Sequence, residues 1–181
     1  FRDLAHYLVG EVQLKPKNPN MRFAVFHGSW DEVPDFGQMK PVAKGQSAGL
    51  DLTVAGRTSN FGIRFEGFID IRKEGEYTFR LGSDDGALLF IDDKKIVACD
   101  GGHPQTVRTG KTRLAGGVHA VRVDYAQVGG EWTLDLNFEG PGVPRQSAET
   151  GILLDKKQPE PTPVVKGKTD GDGFVFDPSL V

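Results

Sequence analysis

Apolar and polar residues alternate with a period of two through the middle of the chain. Phe61, Ile63, Phe65, Ile69 and Ile71 share one parity with Gly67, while Arg64, Glu66, Asp70 and Arg72 occupy the other. Half-buried strands read this way because successive side chains point to opposite faces of a sheet, and the stretch predicts a strand pair. "KEGEYTFRLGS" repeats the pattern with Tyr77, Phe79 and Leu81 inward. "GALLFIDDKKIVACD" predicts two strands joined at Asp92-Asp93-Lys94-Lys95. Val121, Val123 and Tyr125 mark a further strand, and Trp132, Leu134, Leu136 and Phe138 another. No segment holds a helical period beyond two turns, so the pattern predicts an all-β chain.

The first 55 residues are less regular. "HYLVGEVQL" and "MRFAVFHG" are expected to be strands, separated from the central run by a long surface excursion over the Pro- and Gly-rich residues 34 to 49. After Leu154 the composition changes to a stretch carrying Pro159, Pro161 and Pro163. Proline donates no ladder hydrogen bond and favours extended linkers. The expected organisation is one β domain over residues 1–155. A Pro-rich linker over 156–181 would then lead to a further domain of the same polypeptide.

Composition narrows the function. The chain has 181 residues, enough for one domain with a core of ordinary size. Twenty-two basic residues are scattered among 25 acidic ones, for a net charge of −3, which provides no basic face for nucleic acid. No run of apolar residues is long enough to span a bilayer, so no membrane insertion is expected. No leader pattern follows Phe1, and the sequence is expected to be a piece of a longer or processed chain. Cys99 is the single cysteine, which rules out an intrachain disulfide or a cysteine-based zinc site; inside "KKIVACD" it is expected to be a small buried apolar residue.

The candidate chemistry centres on "LGSDDGALLFID", residues 81 to 92, where Asp84 and Asp85 stand side by side in an otherwise apolar stretch. Asp-Gly is a strong two-residue hairpin signal. Vicinal carboxylates also repel unless a cation or hydrogen-bond donors hold them, so a metal site is the second reading. Other signals are weaker. "QTVRTGKT" ends like a phosphate-binding loop but has Gln105 where glycine is required. "KTDGDGFVFD" lacks the third acid and distal glutamate of a calcium-binding helix–loop–helix. His6, His27, His103 and His119 are not at metal-ligand spacing. No carboxyl pair or nucleophile motif marks a catalytic centre, and the chain is expected not to be an enzyme.

Three segments together resemble a known family: G-x-Y-x-F-x-L-x-S-D-D-G over residues 75–86, the L-x-G-G-x-H turn ending at His119, and the closing "NFEGPG". These are similar to the PA-fourteen domain, known from protective antigen, bacterial glycosidases and yeast adhesins. The match is densest between Phe61 and Gly142. The resemblance implies an antiparallel β-sandwich or barrel. In the family's sugar-binding members the paired aspartates are joined by a cis peptide and chelate calcium, a second loop completes the shell, and sugar hydroxyls coordinate the ion. Carried over, Asp84 and Asp85 would hold calcium, with Gln127 and the carbonyls of Gly129 and Glu131 as further ligands. Gln127 stands where the sugar-binding members carry asparagine, one methylene shorter.

The resemblance thus implies a non-catalytic, calcium-dependent carbohydrate-binding module of a larger secreted or surface protein. Its partners would be a glycan or polysaccharide and other domains of the same polypeptide, in an extracytoplasmic setting. Asp84, Asp85, Asp100, His103, Gln127, Val128, Glu131 and Trp132 are the expected ligand-binding residues. His103 and Asp100 are included because "CDGGHP" forms a loop able to approach Asp84; Trp132 is included for stacking on a sugar, although its parity with Leu134 and Leu136 favours the core. The alternative is a structural or protein-interaction module in which the Asp-Asp turn binds no metal.

Overall fold

In a computed structural model of the protein, residues 19–153 are described. The expected strand at 6–14, the domain boundary near 155 and the linker over 156–181 lie outside the described residues. Eleven strands follow in order: β1 (Met21–His27), β2 (Ala43–Ser47), β3 (Phe61–Ile71), β4 (Gly75–Asp84), β5 (Gly86–Ile91), β6 (Lys94–Cys99), β7 (Thr106–Leu114), β8 (Gly117–Gln127), β9 (Thr133–Gly140), β10 (Val143–Ser147) and β11 (Ile152–Leu153). Among the described residues the only α-helical segment is the single turn Ala148–Gly151.

The strands form two antiparallel sheets. One runs β2-β1-β3-β8-β5-β6, with β11 also paired to β3, and the other runs β10-β9-β4-β7. The chain is an antiparallel β-sandwich, as the alternation and the resemblance predict. Parity explains the packing. Phe61, Ile63, Phe65, Ile69 and Ile71 of β3 are buried against Tyr77, Phe79 and Leu81 of β4, with Leu89, Val121, Val123, Leu136 and Phe138 completing the same core. Cys99 belongs to it, buried as its context predicts.

The structure departs from the sequence reading in three places. Residues 61–71 are one continuous strand, paired with β8 from Phe61↔Gln127 to Ile71↔Gly117, and not a strand pair; the small Gly67 keeps the inward parity where Met21 and Ile152 press close. The Asp84-Asp85-Gly86 corner is not a hairpin. β4 and β5 belong to different sheets, so the chain crosses the sandwich edge at Asp85. The hairpin turn is the next one, where Asp92 and Asp93 both have positive φ, 48° and 62°; two successive positive φ values match the right-handed twist of the flanking strands. Finally, the excursion is not all surface. Its last part is β2, paired with β1, and Phe36 is buried on the outer face of the larger sheet. Gly62 makes room for that ring, since a Cβ there would lie 2.2 Å from its edge. "QTVRTGKT" falls in β7, an ordinary strand that excludes the phosphate-loop reading.

Candidate functional site

β8 is the central strand of the larger sheet, and its C-terminal end carries Tyr125 and Gln127 on the inward face. Both stand beside the point where β4 hands the chain to β5. The peptide between Asp84 and Asp85 is cis, as the resemblance implies. Gln127 is 0 % exposed. Its Oε1 accepts from the Asp85 N–H at 2.9 Å and from the Tyr125 hydroxyl at 2.6 Å, and its Nε2 donates to the Glu131 carbonyl at 2.9 Å. The Tyr125 hydroxyl also lies against the Asp84 carbonyl. Burial pushes the Tyr125 phenol far above its ordinary range, and the charges of Asp85 and Asp84 add to the effect, so the hydroxyl stays a donor.

The two carboxylates have different surroundings. Asp85 is 9 % exposed, and its oxygens accept from the His103 N–H at 3.3 Å and the Val128 N–H at 3.0 Å. Backbone donors of two separate loops thus converge on one side chain. Asp84 is half-buried, and among the described residues its carboxylate accepts no hydrogen bond. Register places Asp84 opposite Thr133 on β9, whose buried Oγ1 has no hydrogen-bond partner in the structure.

The structure brings most of the expected residues together, several of them in roles other than those expected. Asp84, Asp85, Gln127 and the 128–131 loop meet at one corner. Gln127 acts there as a clamp: both ends of its amide are taken by protein partners, which accounts for the extra methylene without a ligand role. The 100–105 loop reaches the site through the His103 backbone. The His103 ring turns away to the Cys99 and Pro104 carbonyls, and Asp100 caps the N–H groups of Val33 and Gly101. Trp132 packs edge-to-face on Phe61, ring centroids 5.8 Å apart, on the core side. Val128 is 40 % exposed at the rim.

Two features escaped the sequence reading. Parity assigns Tyr125 to the core, and a buried tyrosine hydroxyl also needs a partner; that requirement is the available signal. The segment Trp30–Val33 forms the opposite wall of a shallow hollow whose floor includes Asp85, Gly101 and Gly102. It is held there by the Asp100 carboxylate, 2.8 Å from the Val33 nitrogen. No local motif in the sequence announces that contact, which spans 67 positions.

The donor set fits a hard, oxygen-seeking cation in part. Calcium takes six to eight oxygens from carboxylates, carbonyls and waters. The corner offers two adjacent carboxylates, one of which accepts no hydrogen bond among the described residues, beside the 128–131 loop, whose Val128 N–H reaches Asp85. Among the described residues no three His, Cys, Asp or Glu side chains gather in one place, so protein carboxylates alone would not saturate the ion.

A comparison with characterised protein sequences finds no match. Among solved structures the fold is shared with the PA14 sugar-binding domain from RTX adhesin, at TM-score 0.61 and 17 % identity, covering 76 % of this chain and 99 % of that one. It is also shared with the PA14 domain of the MpAFP antifreeze protein, at TM-score 0.64 and 14 % identity over 78 % and 94 % of the two chains. A third neighbour is the epithelial adhesin 9 A domain (Epa9A) from Candida glabrata in complex with Galb1-4GlcNAc, at TM-score 0.58 and 11 % identity over 77 % and 91 %. The family model for the PA14 domain matches residues 55–150, which contain both loops of the site. The chain belongs to the PA14 domain family.

Proposed function

We propose that the protein is a calcium-dependent carbohydrate-binding module that presents a glycan to a larger secreted or surface protein, and that it does no catalysis itself. The observation that carries the reading is the Asp84–Asp85 corner, where one carboxylate is fixed by backbone donors of two loops and its neighbour accepts no hydrogen bond among the described residues. The PA14 sugar-binding domain of the RTX adhesin and the sugar complex of Epa9A support it at the level of fold. Asp84 and Asp85 would hold the ion, with the Gly129 and Glu131 carbonyls as further oxygens, and calcium would supply open coordination positions for two hydroxyls of a sugar. The protein's own part is positioning. The Gln127 clamp ties Asp85 to the 128–131 loop, and Val128 and the Trp30–Val33 wall bound the space above the pair. Affinity for one sugar unit is expected to be weak, because a single ring buries few atoms.

One observation favours the alternative of a structural corner without metal. Both Asp85 oxygens already accept backbone hydrogen bonds, and Gln127 is saturated by protein groups. A glycan array probed with calcium and again with EDTA separates the two readings. The module reading predicts calcium-dependent signals that Asp84→Asn abolishes. Signals for no glycan in calcium, or signals indifferent to EDTA and to the substitution, would leave the corner as structure alone.

A further inference from the structure

Among the described residues four side-chain nitrogen or oxygen atoms are buried without a hydrogen-bond partner: Arg80 Nε, Ser83 Oγ, Arg122 Nε and Thr133 Oγ1. Such orphans are rare in folded chains, and bound water or an ion commonly accounts for them. The two arginines reach Glu139 and Asp93 through other nitrogens of the same guanidinium. Ser83 shares the inward parity of Tyr77, Phe79 and Leu81 and is 0 % exposed on the core side. Thr133 is different. It lies on the other face of the smaller sheet, beside Asp84.

The pairing of β4 with β9 ends at the Asp84↔Thr133 rung. Residues directly opposite on an antiparallel pair share a face, with Cβ atoms about 4.5–5.5 Å apart. The residues before Thr133 fix its place: Trp132 packs on Phe61, and the Glu131 carbonyl accepts from the Gln127 amide. One rung further along the same face, Asp135 already accepts from Asn137 at 2.9 Å. Its carboxylate lies over Gly82, where a Cβ would come within 2.0 Å of Oδ2. The Asp84 carboxylate accepts no hydrogen bond among the described residues. The last rung thus sets a carboxylate without a donor opposite a hydroxyl without a partner.

We propose that the Thr133 hydroxyl is a calcium ligand that shares the ion with Asp84, an inference that rests on the calcium reading of the corner. Oxygens bound to calcium lie about 2.3–2.6 Å from it, so two that share the ion lie within roughly 5 Å of each other, a span that side chains on one rung can meet. A threonine hydroxyl has two lone pairs and one proton. One lone pair goes to the ion, and the O–H remains to donate to a carboxylate oxygen of Asp84. With one oxygen from each aspartate and the Gly129 and Glu131 carbonyls, Thr133 would bring the protein's share to about five. Two sugar hydroxyls then reach the roughly six to eight oxygens that calcium takes. The orphaned hydroxyl is given a partner of the kind a hard cation supplies.

The test uses the full chain, calcium chloride alone as the probe, and two substitutions: Thr133→Val keeps the shape and removes the hydroxyl, and Thr133→Ser keeps the hydroxyl. In EDTA, Thr133→Val is expected to melt no lower than the wild type, because without the ion the hydroxyl has no hydrogen bond to lose. By calorimetric titration it is expected to bind calcium at least roughly tenfold more weakly, the low end of what even an outer-shell partner is worth. Thr133→Ser, and Ser83→Ala on the core side, are expected to bind calcium as the wild type does. Wild-type calcium affinity in Thr133→Val, or a lower melting temperature for it in EDTA, would overturn the assignment and leave the calcium reading intact. A loss of affinity in Thr133→Ser or Ser83→Ala as large as in Thr133→Val would do the same. No calcium uptake by the wild type would overturn the calcium reading itself, and this ligand with it, so the two failures give different results.

Discussion

Tyr125 and Gln127 lie two positions apart on one strand, so both side chains enter the same face, and together they hold the Asp84–Asp85 corner by its backbone. Tyr125→Phe keeps the ring and its contact with Phe61 but leaves the Asp84 carbonyl and the Gln127 amide each short of a donor. The expected cost is about 1–3 kcal/mol, the range for a buried group left unsatisfied, measured as a lower urea midpoint. An unchanged midpoint would remove the clamp from the account. At the opposite end of β8, His119 sets a pH dependence. Burial alone would depress its pKa, but the hydrogen bond to Asp92 at 2.6 Å, the Ala115 carbonyl and the Asp92 charge together hold it above the ordinary value. A raised folded-state pKa contributes stability that is complete below the unfolded value of about 6.5 and is lost as pH rises through the folded one. Thermal melts at a series of pH values should therefore show a decline through and above neutrality that His119→Gln flattens. A wild-type profile that rises through that window would contradict the assignment.

At the scale of elements, the sandwich depends on close approaches that only glycine allows. The β7 residue Gly110 faces the backbone of β6 in the other sheet, and a Cβ there would lie 2.1 Å from the Ile96 carbonyl oxygen. Backbone cannot rotate aside as a side chain can, so Gly110→Ala is expected to cost about 1–3 kcal/mol through overpacking. Thr109→Ala, at the exposed neighbouring position, should stay within about 0.5 kcal/mol. Equal effects of the two, read by urea denaturation, would show that β7 does not close the sheets as described. Parity made these strands legible. Tyr77, Phe79, Leu81, Val121 and Val123 read as inward and are buried, because period-two alternation reports burial directly. Sheet membership was not legible in the same way. Asp-Gly after a strand reads as a hairpin from local φ preferences, whereas β5 pairs with β8, from Gly86↔Ala126 to Ile91↔Val121, far along the chain.

For the whole molecule, the candidate site shows the same division between local and distant information. Asp84 and Asp85 were legible from their vicinal charges, and the family resemblance supplied the second loop. The saturation of Gln127, the Asp100 latch on Val33 and the Trp30–Val33 wall were not legible, since each joins segments distant in sequence or fixes an orientation that composition does not encode. What the fold achieves is convergence: β4, β5 and β8 end at one edge, and the loops after β6 and β8 each donate a backbone N–H to Asp85. The central claim is that this convergence holds calcium. Thermal melting of the wild type and of an Asp84→Asn, Asp85→Asn double variant, in calcium and in EDTA, tests it most directly. Calcium at about a hundred times its dissociation constant should add roughly 2.7 kcal/mol, several degrees for a domain of this size. The account predicts that rise for the wild type and none for the variant. A wild type that melts at the same temperature with calcium and with EDTA would contradict it.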